Sequence, residues 1–427
     1  MSATAATVTT SPGGGPRLRR VFAGNVAARL AALLALAAAT VMVARVGGPD
    51  LVGGFTLLRV LPGLAGVLAA AGLPGAAPFF LSSRQSDRAL RPTLVLLTLG
   101  GAILGTFGWL ALTPILHPVF FSTWSIGITV ACGAAVFSQL FVAVGKSLLQ
   151  GEGDFPGANI AIVAEEAVYL PVYGVLIFGG NGLGPVLIAL VATDILVAAG
   201  IAERLRRVGF FRDWSRPSRA LAKEVGGYGT RGQLGGLMSL INLRLDVAIL
   251  GAMAGPGILG VYAIASKYAE LLRLPGLAVT YVLYPVFSRN GSVAATERTR
   301  ALIPRAFWLS VAAAVPLALG AGLILPALYG KSFDGAIHPT WILLCGLLGE
   351  GVAGLITAYL YGIGRPGLNS LAVGAGVLVT IAGDLALIPH FGVIGASIAS
   401  AAAYLATTVT LVICFRHIER RRHEISK

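Results

Sequence analysis

The sequence predicts an all-α, polytopic membrane protein with 12 transmembrane helices arranged as two parallel six-helix bundles. Three observations carry this prediction. Apolar stretches of membrane-crossing length follow one another almost from end to end. The composition is 56% hydrophobic and only 12% charged, a balance foreign to a water-soluble domain. The two halves of the chain also repeat the same short motifs in the same order.

A helix needs roughly 20 mostly apolar residues to cross about 30 Å of hydrocarbon. By that measure the spans are 21–45, 54–81, 93–116, 123–149, 158–178, 183–203, 226–252, 257–286, 302–328, 338–362, 367–389 and 392–415. Residues 1–16 are low in complexity, and a disordered cytoplasmic N-terminus is expected over 1–20. Arg17, Arg19 and Arg20 then precede an apolar run of about 24 residues, too long for a signal-peptide core and read as an uncleaved helix. Pro62, Pro74, Pro171, Pro275 and Pro316 fall inside spans, where each removes a backbone donor and is expected to kink its helix. The 57 glycines suit close helix approach in lipid. The expected organisation is a six-helix lobe over 21–207, a cytoplasmic linker over 208–225, a second lobe over 226–415 and a basic cytoplasmic tail over 416–427.

The net charge of +14 is distributed unevenly. One set of loops carries Arg84, Arg88 and Arg91, the basic run from Arg204 to Lys223, then Arg289, Arg298, Arg300, Arg365 and Arg416 to Lys427. The opposite loops offer little beyond Arg45 and Lys331. The positive-inside rule makes the first set cytoplasmic. Both termini then lie inside, as an even span count requires, in an inner (plasma) membrane. These charges read as topology determinants and lipid-headgroup contacts rather than as a nucleic-acid surface. Cys132, Cys345 and Cys414 lie within spans and match no metal or redox spacing, so they read as packing residues.

The internal repeat is carried by three pairs of motifs. Gly48-Pro49-Asp50-Leu51-Val52-Gly53-Gly54-Phe55 opens span two, and Gly255-Pro256-Gly257-Ile258-Leu259-Gly260-Val261-Tyr262 opens span eight. Gly151-Glu152-Gly153-Asp154-Phe155-Pro156-Gly157-Ala158-Asn159 joins spans four and five, and Gly362-Ile363-Gly364-Arg365-Pro366-Gly367-Leu368-Asn369 joins spans ten and eleven. Gly182-Leu183-Gly184-Pro185 and Gly392-Val393-Ile394-Gly395 open spans six and twelve. Six spans per copy give both copies one orientation, a parallel repeat whose halves can rock around a central cavity.

These motifs, with Leu148-Leu149-Gln150-Gly151-Glu152-Gly153, Asn242-Leu243-Arg244-Leu245-Asp246, Tyr284-Pro285-Val286-Phe287-Ser288-Arg289, Leu328-Tyr329-Gly330-Lys331-Ser332-Phe333 and Ile388-Pro389-His390-Phe391-Gly392, resemble the multidrug/oligosaccharidyl-lipid/polysaccharide (MOP) exporter superfamily, most closely its Wzx-like polysaccharide-transporter branch. The resemblance covers nearly the whole chain. It implies a MATE-like fold and a flippase that moves lipid-linked glycans across the membrane by alternating access, without hydrolysing nucleotide. The implied partners are the lipid-linked glycan, membrane lipids and glycan-assembly proteins, with no nucleic acid.

An ionisable group near mid-bilayer is costly and normally faces a partner or a wet cavity. The spans contain Arg29, Arg59, Glu165, Glu166, Asp194, Arg244, Asp246, Lys267, Glu270, Arg273, Glu350 and Asp384. Aligning the two Gly-Pro turns places Arg59 opposite Ser266, next to Lys267, so both halves carry a cation at similar depth. Related lipid flippases use cavity cations on early helices and on the equivalent of span eight. The expected substrate-binding set is therefore Arg29, Arg59, Lys267 and Arg273, holding an anion such as a polyprenyl-linked pyrophosphate, whose oxygens match the guanidinium fork. The competing expectation is internal pairing, since Lys267, Glu270 and Arg273 are spaced three apart. Arg244 and Asp246 should point to different sides of their helix, with Asp246 in a structural salt bridge, and only one of Glu165 and Glu166 is expected to point fully inward. Asp384, with Asn369, Asn242 and Thr380 as oxygen donors, is the candidate site for a coupling Na⁺ or H⁺.

No enzyme or cofactor is predicted. The chain lacks G-x-x-x-x-G-K-[ST], and Gly145-Lys146-Ser147 is a bare triplet inside an apolar span. It also lacks H-E-x-x-H and G-x-S-x-G. Two other readings stay open: a cation-coupled multidrug antiporter, whose cavity should be acidic or aromatic, and a membrane scaffold whose charges all pair internally.

Overall fold

The computed structural model describes the backbone of residues 15–84, 86–274, 276, 283, 287 and 292–425, and side chains within these except at 15–22, 231–243, 292–293 and 421–425. Pro275, Arg289, most of the 284–289 motif and the Asn242 side chain thus lie outside the described residues. The described residues form only helices: α1 (Gly15–Ala70), α2 (Leu73–Ser83), α3 (Leu90–Phe120), α4 (Ile126–Gly151), α5 (Phe155–Ala167), α6 (Tyr169–Leu176), α7 (Leu183–Arg207), α8 (Arg219–Ala269), α9 (Ser292–Tyr329), α10 (Ile337–Gly346), α11 (Glu350–Gly362) and α12 (Pro366–Ile425). Among them are nine helical stretches long and apolar enough to cross a membrane. The protein is a multi-pass membrane protein.

Three of these helices double back at a glycine. Gly48, Gly255 and Gly392 have φ of 64°, 81° and 51°, a backbone region that glycine enters without a side-chain penalty. Pro49 and Pro256 follow two of them and start the next arm, where the missing N–H costs nothing. In α12 the two arms touch along their length: Gly383 faces Ala399, Gly376 faces Thr407, and Gly395 lies against the carbonyl of Leu387. In α8, Tyr262 donates a hydrogen bond to Asp246 across the Gly255 turn. In α1, Thr40 and Phe55 would be about 22 Å apart on a straight helix, yet Lys267 touches both.

Other predicted spans are single but broken. Span two is split at Ala71 and Gly72, both with positive φ, and Pro74 lies in the first turn of α2. Span five divides at Val168 into α5 and α6. Span ten, 338–362, is preceded by a 3₁₀ turn, Lys331–Ala336, and contains another, Leu347–Gly349. Pro304, Pro316 and Pro326, by contrast, sit inside the continuous α9. In the predicted linker, helix α7 ends at Arg207 and α8 already begins at Arg219.

The second repeat motif is a helix stop. Gly153 and Gly364 have φ of 81° and 73°. The next residue of each copy donates its N–H back to a carbonyl five residues earlier, Asp154 to Leu149 at 2.9 Å and Arg365 to Leu360 at 2.8 Å. This bond closes the helix end and satisfies carbonyls that would otherwise be orphaned. In the first copy the acidic residues add anchors. Glu152 is held by Arg91 through two bonds of 2.8 and 2.9 Å, and Asp154 by Arg204 through bonds of 2.7 and 2.9 Å. Asp154 also caps α5 by accepting from the Gly157 N–H at 2.9 Å.

The two halves meet along α1 and α8. Their apolar centre combines Phe55, Leu57 and Leu58 of the first half with Leu250, Tyr262 and Leu343 of the second. Where the Gly-Pro turns meet, Gly53 abuts the carbonyl of Pro256 and Gly260 abuts that of Pro49. At the other end of these arms, Gly72 lies against Gly229, Phe79 stacks on Tyr228 with ring centroids 4.6 Å apart, and Arg84 pairs with Glu224 at 2.6 Å.

Candidate functional site: a charged cavity between the halves

A cavity of about 250 Å³ lies between both arms of α1, helices α4, α5 and α7, and both arms of α8. Its wall carries three cations, Arg59, Arg244 and Lys267, and three carboxyl groups, Glu165, Glu166 and Asp194. Thr56, Gln139 and Thr193 add neutral polar groups. The repeat brings this about: Arg59 and Lys267 follow equivalent Gly-Pro turns, and those turns pack against each other.

The charges are unevenly paired. Arg59 donates to Glu166 Oε1 and Lys146 to Glu165 Oε2. Asp194 Oδ2 accepts from the Ser138 hydroxyl at 2.6 Å. Lys267 donates to Thr40 Oγ1 at 3.2 Å and lies over the Phe55 ring, 5.7 Å from its centroid. The Arg59 guanidinium sits over the same ring at 5.5 Å. Neither Lys267 nor Arg244 forms an ion pair among the described residues. On the wall, Glu166 Oε2 and Thr193 Oγ1 are buried and have no hydrogen-bond partner among the described residues. Two cations without a carboxylate partner among the described residues can receive an anion, whereas Glu165 and Glu166 are each paired with a cation and Asp194 with a hydroxyl.

Of the predicted substrate-binding set, the structure brings Arg59 and Lys267 together and leaves two residues elsewhere. Arg29 is exposed and donates to Asn25 Oδ1 at 3.2 Å. It lies seven residues, about 10 Å of helix, before Leu36 at the cavity edge. Arg273 instead pairs with Glu350 at 3.3 Å, its guanidinium 5.6 Å from the Tyr404 ring centroid. The helix tightens into a 3₁₀ turn over Glu270–Leu272, and Arg273 at its end is drawn to Glu350 on α11. Neither Lys267 with Glu270 nor Glu270 with Arg273 forms an ion pair among the described residues.

Other expectations are corrected. Glu165 and Glu166 both line the cavity, because cations from two different helices, Lys146 of α4 and Arg59 of α1, draw them to separate partners. Arg244 and Asp246 do diverge, but Asp246 makes no salt bridge among the described residues. It is buried and accepts from Tyr262, whose hydroxyl is also 2.8 Å from Ser400 Oγ. Sequence reasoning left out Arg244 as a cavity residue and passed over Lys146. The signal for Lys146 was its position as a cation inside an apolar span.

Of the coupling-ion candidates, the Asn242 side chain lies outside the described residues, and the other three do not all converge. Asp384 is fully buried, and neither carboxyl oxygen has a hydrogen-bond partner among the described residues. Thr380 is buried one turn earlier, and Asp246 lies within electrostatic reach. Asn369 is 15 residues before Asp384, about 22 Å along the same helix, and accepts from Thr357 at 2.8 Å.

A profile described as "Polysaccharide biosynthesis protein" matches residues 30–338. Two proteins of Haloferax volcanii are similar in sequence. "Probable low-salt glycan biosynthesis flippase Agl15" is 25% identical over 169 residues, 39% of this chain and 36% of that protein. "Probable flippase AglR" is 24% identical over 214 residues, 48% of this chain and 44% of that protein. The chain thus matches less than half the length of these relatives. Among solved structures, an inward-facing multidrug-resistance MATE transporter of the MOP superfamily superposes with a TM-score of 0.75 at 19% identity, covering 93% of this chain and 96% of the other. The lipid II flippase MurJ in an inward closed conformation gives 0.71 at 15% identity, covering 93% and 87%. These similarities show a MATE-like polytopic fold.

Proposed function

The chain belongs to the polysaccharide biosynthesis protein family, and from that premise we propose that it is a non-catalytic flippase for a lipid-linked, polyprenyl-pyrophosphate oligosaccharide. The observation that carries the proposal is the pair of cavity cations, Arg244 and Lys267, with no carboxylate partner among the described residues. A pyrophosphate headgroup entering the cavity meets two positive charges from the two arms of α8, with Arg59 of the other half close by. Lipid tails remain in the bilayer while the sugar occupies the wet space between the halves. The similar proteins named as flippases support this reading.

In this account the lobes 21–207 and 226–415 rock about the cavity, joined by the linker 208–225. The chain crosses an inner (plasma) membrane 12 times with both termini cytoplasmic, in keeping with its basic loops. Asp384 and Thr380 are the residues best placed to take a coupling Na⁺ or H⁺, since a buried carboxylate without a hydrogen bond is stabilised by either.

One observation favours a second reading. Glu165, Glu166 and Asp194 share the cavity with the cations, as a multidrug antiporter for organic cations would require. Thermal unfolding of the purified protein with each ligand class separates the two. A short-chain polyprenyl pyrophosphate should raise Tm while tetraphenylphosphonium leaves it unchanged. The reverse pattern would reject the flippase reading.

A further inference from the structure

We propose that Lys146 sets the charge preference of the cavity from behind its wall: by holding Glu165 on the α4 side, it leaves the wall cations open to an anionic headgroup. Lys146 is thus a positioning residue for specificity, acting through Glu165. The inference deepens the flippase reading and rests on it.

Three cations and three carboxyl groups line the cavity, so the wall taken alone has no excess of basic groups. Opposite charges that share a low-dielectric wall attract strongly. Lys267 and Arg244 nevertheless have no carboxylate partner among the described residues, because each wall acid is held by another group. Arg59 holds Glu166, and this uses up a wall cation. Ser138 of α4 donates to Asp194 at 2.6 Å. Lys146, also of α4, holds Glu165, yet Lys146 is not itself one of the residues lining the cavity. It neutralises a wall acid without occupying a wall cation, and so tips the surroundings of the cavity toward positive charge.

Helix geometry places Lys146 for this task. Gln139 lines the cavity, and Lys146 follows it by seven residues, two turns and about 10 Å along the same face of α4. From there its flexible stem reaches Glu165 on α5, which packs against α4. Glu165 is a quarter exposed and lies within electrostatic reach of Arg59. Freed from Lys146, it turns to the wall cations. Arg59 then faces two carboxylates, and one positive charge fewer is left for a headgroup. One unit charge about 10 Å away at an effective dielectric of about 20 is worth roughly tenfold in affinity. The sign is opposite for an anion and for a cation. A bridge that only fastens α4 to α5 has no such sign, since its loss loosens the cavity for every ligand alike.

The test is calorimetric titration of farnesyl pyrophosphate and of tetraphenylphosphonium into the purified full-length protein. Lys146→Met keeps an unbranched apolar stem and removes the charge. It should bind the pyrophosphate about tenfold more weakly than wild type, and tetraphenylphosphonium about tenfold more tightly. Lys146→Arg keeps the charge and should keep the wild-type preference for the pyrophosphate. The Lys146→Met, Glu165→Gln double variant should recover most of the pyrophosphate affinity, because the two charge changes cancel. Equal loss of both ligands in Lys146→Met overturns the inference, as does unchanged affinity for both, or a double variant that binds the pyrophosphate no better than Lys146→Met. If Lys146→Met does not fold, Glu165→Gln decides alone: it should bind the pyrophosphate about tenfold more tightly than wild type, and equal or weaker binding overturns the inference. Wild type that does not bind the pyrophosphate removes the flippase reading and the inference together. Wild type that binds it, with variants that show none of these shifts, removes the inference alone.

Discussion

The backbone of Gly53 lies against the carbonyl of Pro256, so closely that a β-carbon on Gly53 would overlap its oxygen. The contact is reciprocal, because Gly260 meets the carbonyl of Pro49 in the same way. Each glycine is the sixth residue of a Gly-Pro motif that appears once in each half, so the repeated segments pack face to face as pseudo-symmetric partners. A pair of self-complementary surfaces of this kind closes one end of the interface between the halves by close backbone contact, with the Asp50 side chain against Gly257.

Gly53→Ala and Gly260→Ala should therefore force the turns apart. Each should lower stability by about 1–3 kcal/mol, the usual cost of overpacking. Gly75→Ala serves as the comparison, since nothing lies within 4 Å of a β-carbon there and alanine favours a helix by up to about 1 kcal/mol. Thermal unfolding in detergent checks the order: both turn variants below wild type, Gly75→Ala at or above it.

Lys267→Ala and Arg244→Ala should each weaken binding of a polyprenyl pyrophosphate by roughly 10- to 100-fold, the value of about 1.5–3 kcal/mol for a charge-assisted hydrogen bond. Arg273→Ala should leave that affinity within about threefold, because Arg273 is engaged by Glu350 away from the cavity. Equilibrium titrations of the three variants check the contrast.

How much of this was legible beforehand follows from what hydropathy encodes. The Gly-Pro turns were legible as a repeat, since positive φ and a missing N–H restrict which residues serve. Arg59 and Lys267 were legible from their register after those turns. The division between Arg244 and Arg273 was not. A helix that is apolar on every side carries no amphipathic signal to fix its rotation, so packing alone decides which charge faces the cavity. The 3₁₀ turn at Glu270–Leu272 is a further local change that spacing does not reveal. Asn369 was grouped with Asp384 by type, although both lie on one helix arm too far apart to share an ion.

Asp384→Asn should abolish the dependence of transport on a Na⁺ or H⁺ gradient without unfolding the protein, since the wild-type carboxyl makes no hydrogen bond among the described residues. Transport rates with and without each gradient check this. A variant that responds to the gradients as wild type does would place the coupling site elsewhere.

Acid stability should depend on Asp154. Its hydrogen bonds from Arg204 hold its carboxyl below the usual carboxylate range. The sign follows from linkage: this stabilisation is complete above the unfolded carboxyl value near 3.9 and is lost as pH falls through the lower folded value. Asp154→Ala should cost about 1 kcal/mol near neutrality through the lost α5 cap. It should also show a shallower fall in Tm than wild type below about pH 4. Melting curves from pH 7 to pH 3 check both.

The central claim is that the cavity between the halves carries a lipid-linked anionic headgroup across the bilayer. Its most direct measurement is the transbilayer movement of a fluorescent polyprenyl-pyrophosphate oligosaccharide in vesicles containing only this protein, scored by access of an added quencher. Wild type should expose the inner-leaflet probe at a rate well above protein-free vesicles, and the Arg244→Ala, Lys267→Ala double variant should fall to the protein-free rate. Movement at the protein-free rate with wild type, or unimpaired movement with the double variant, would contradict the account.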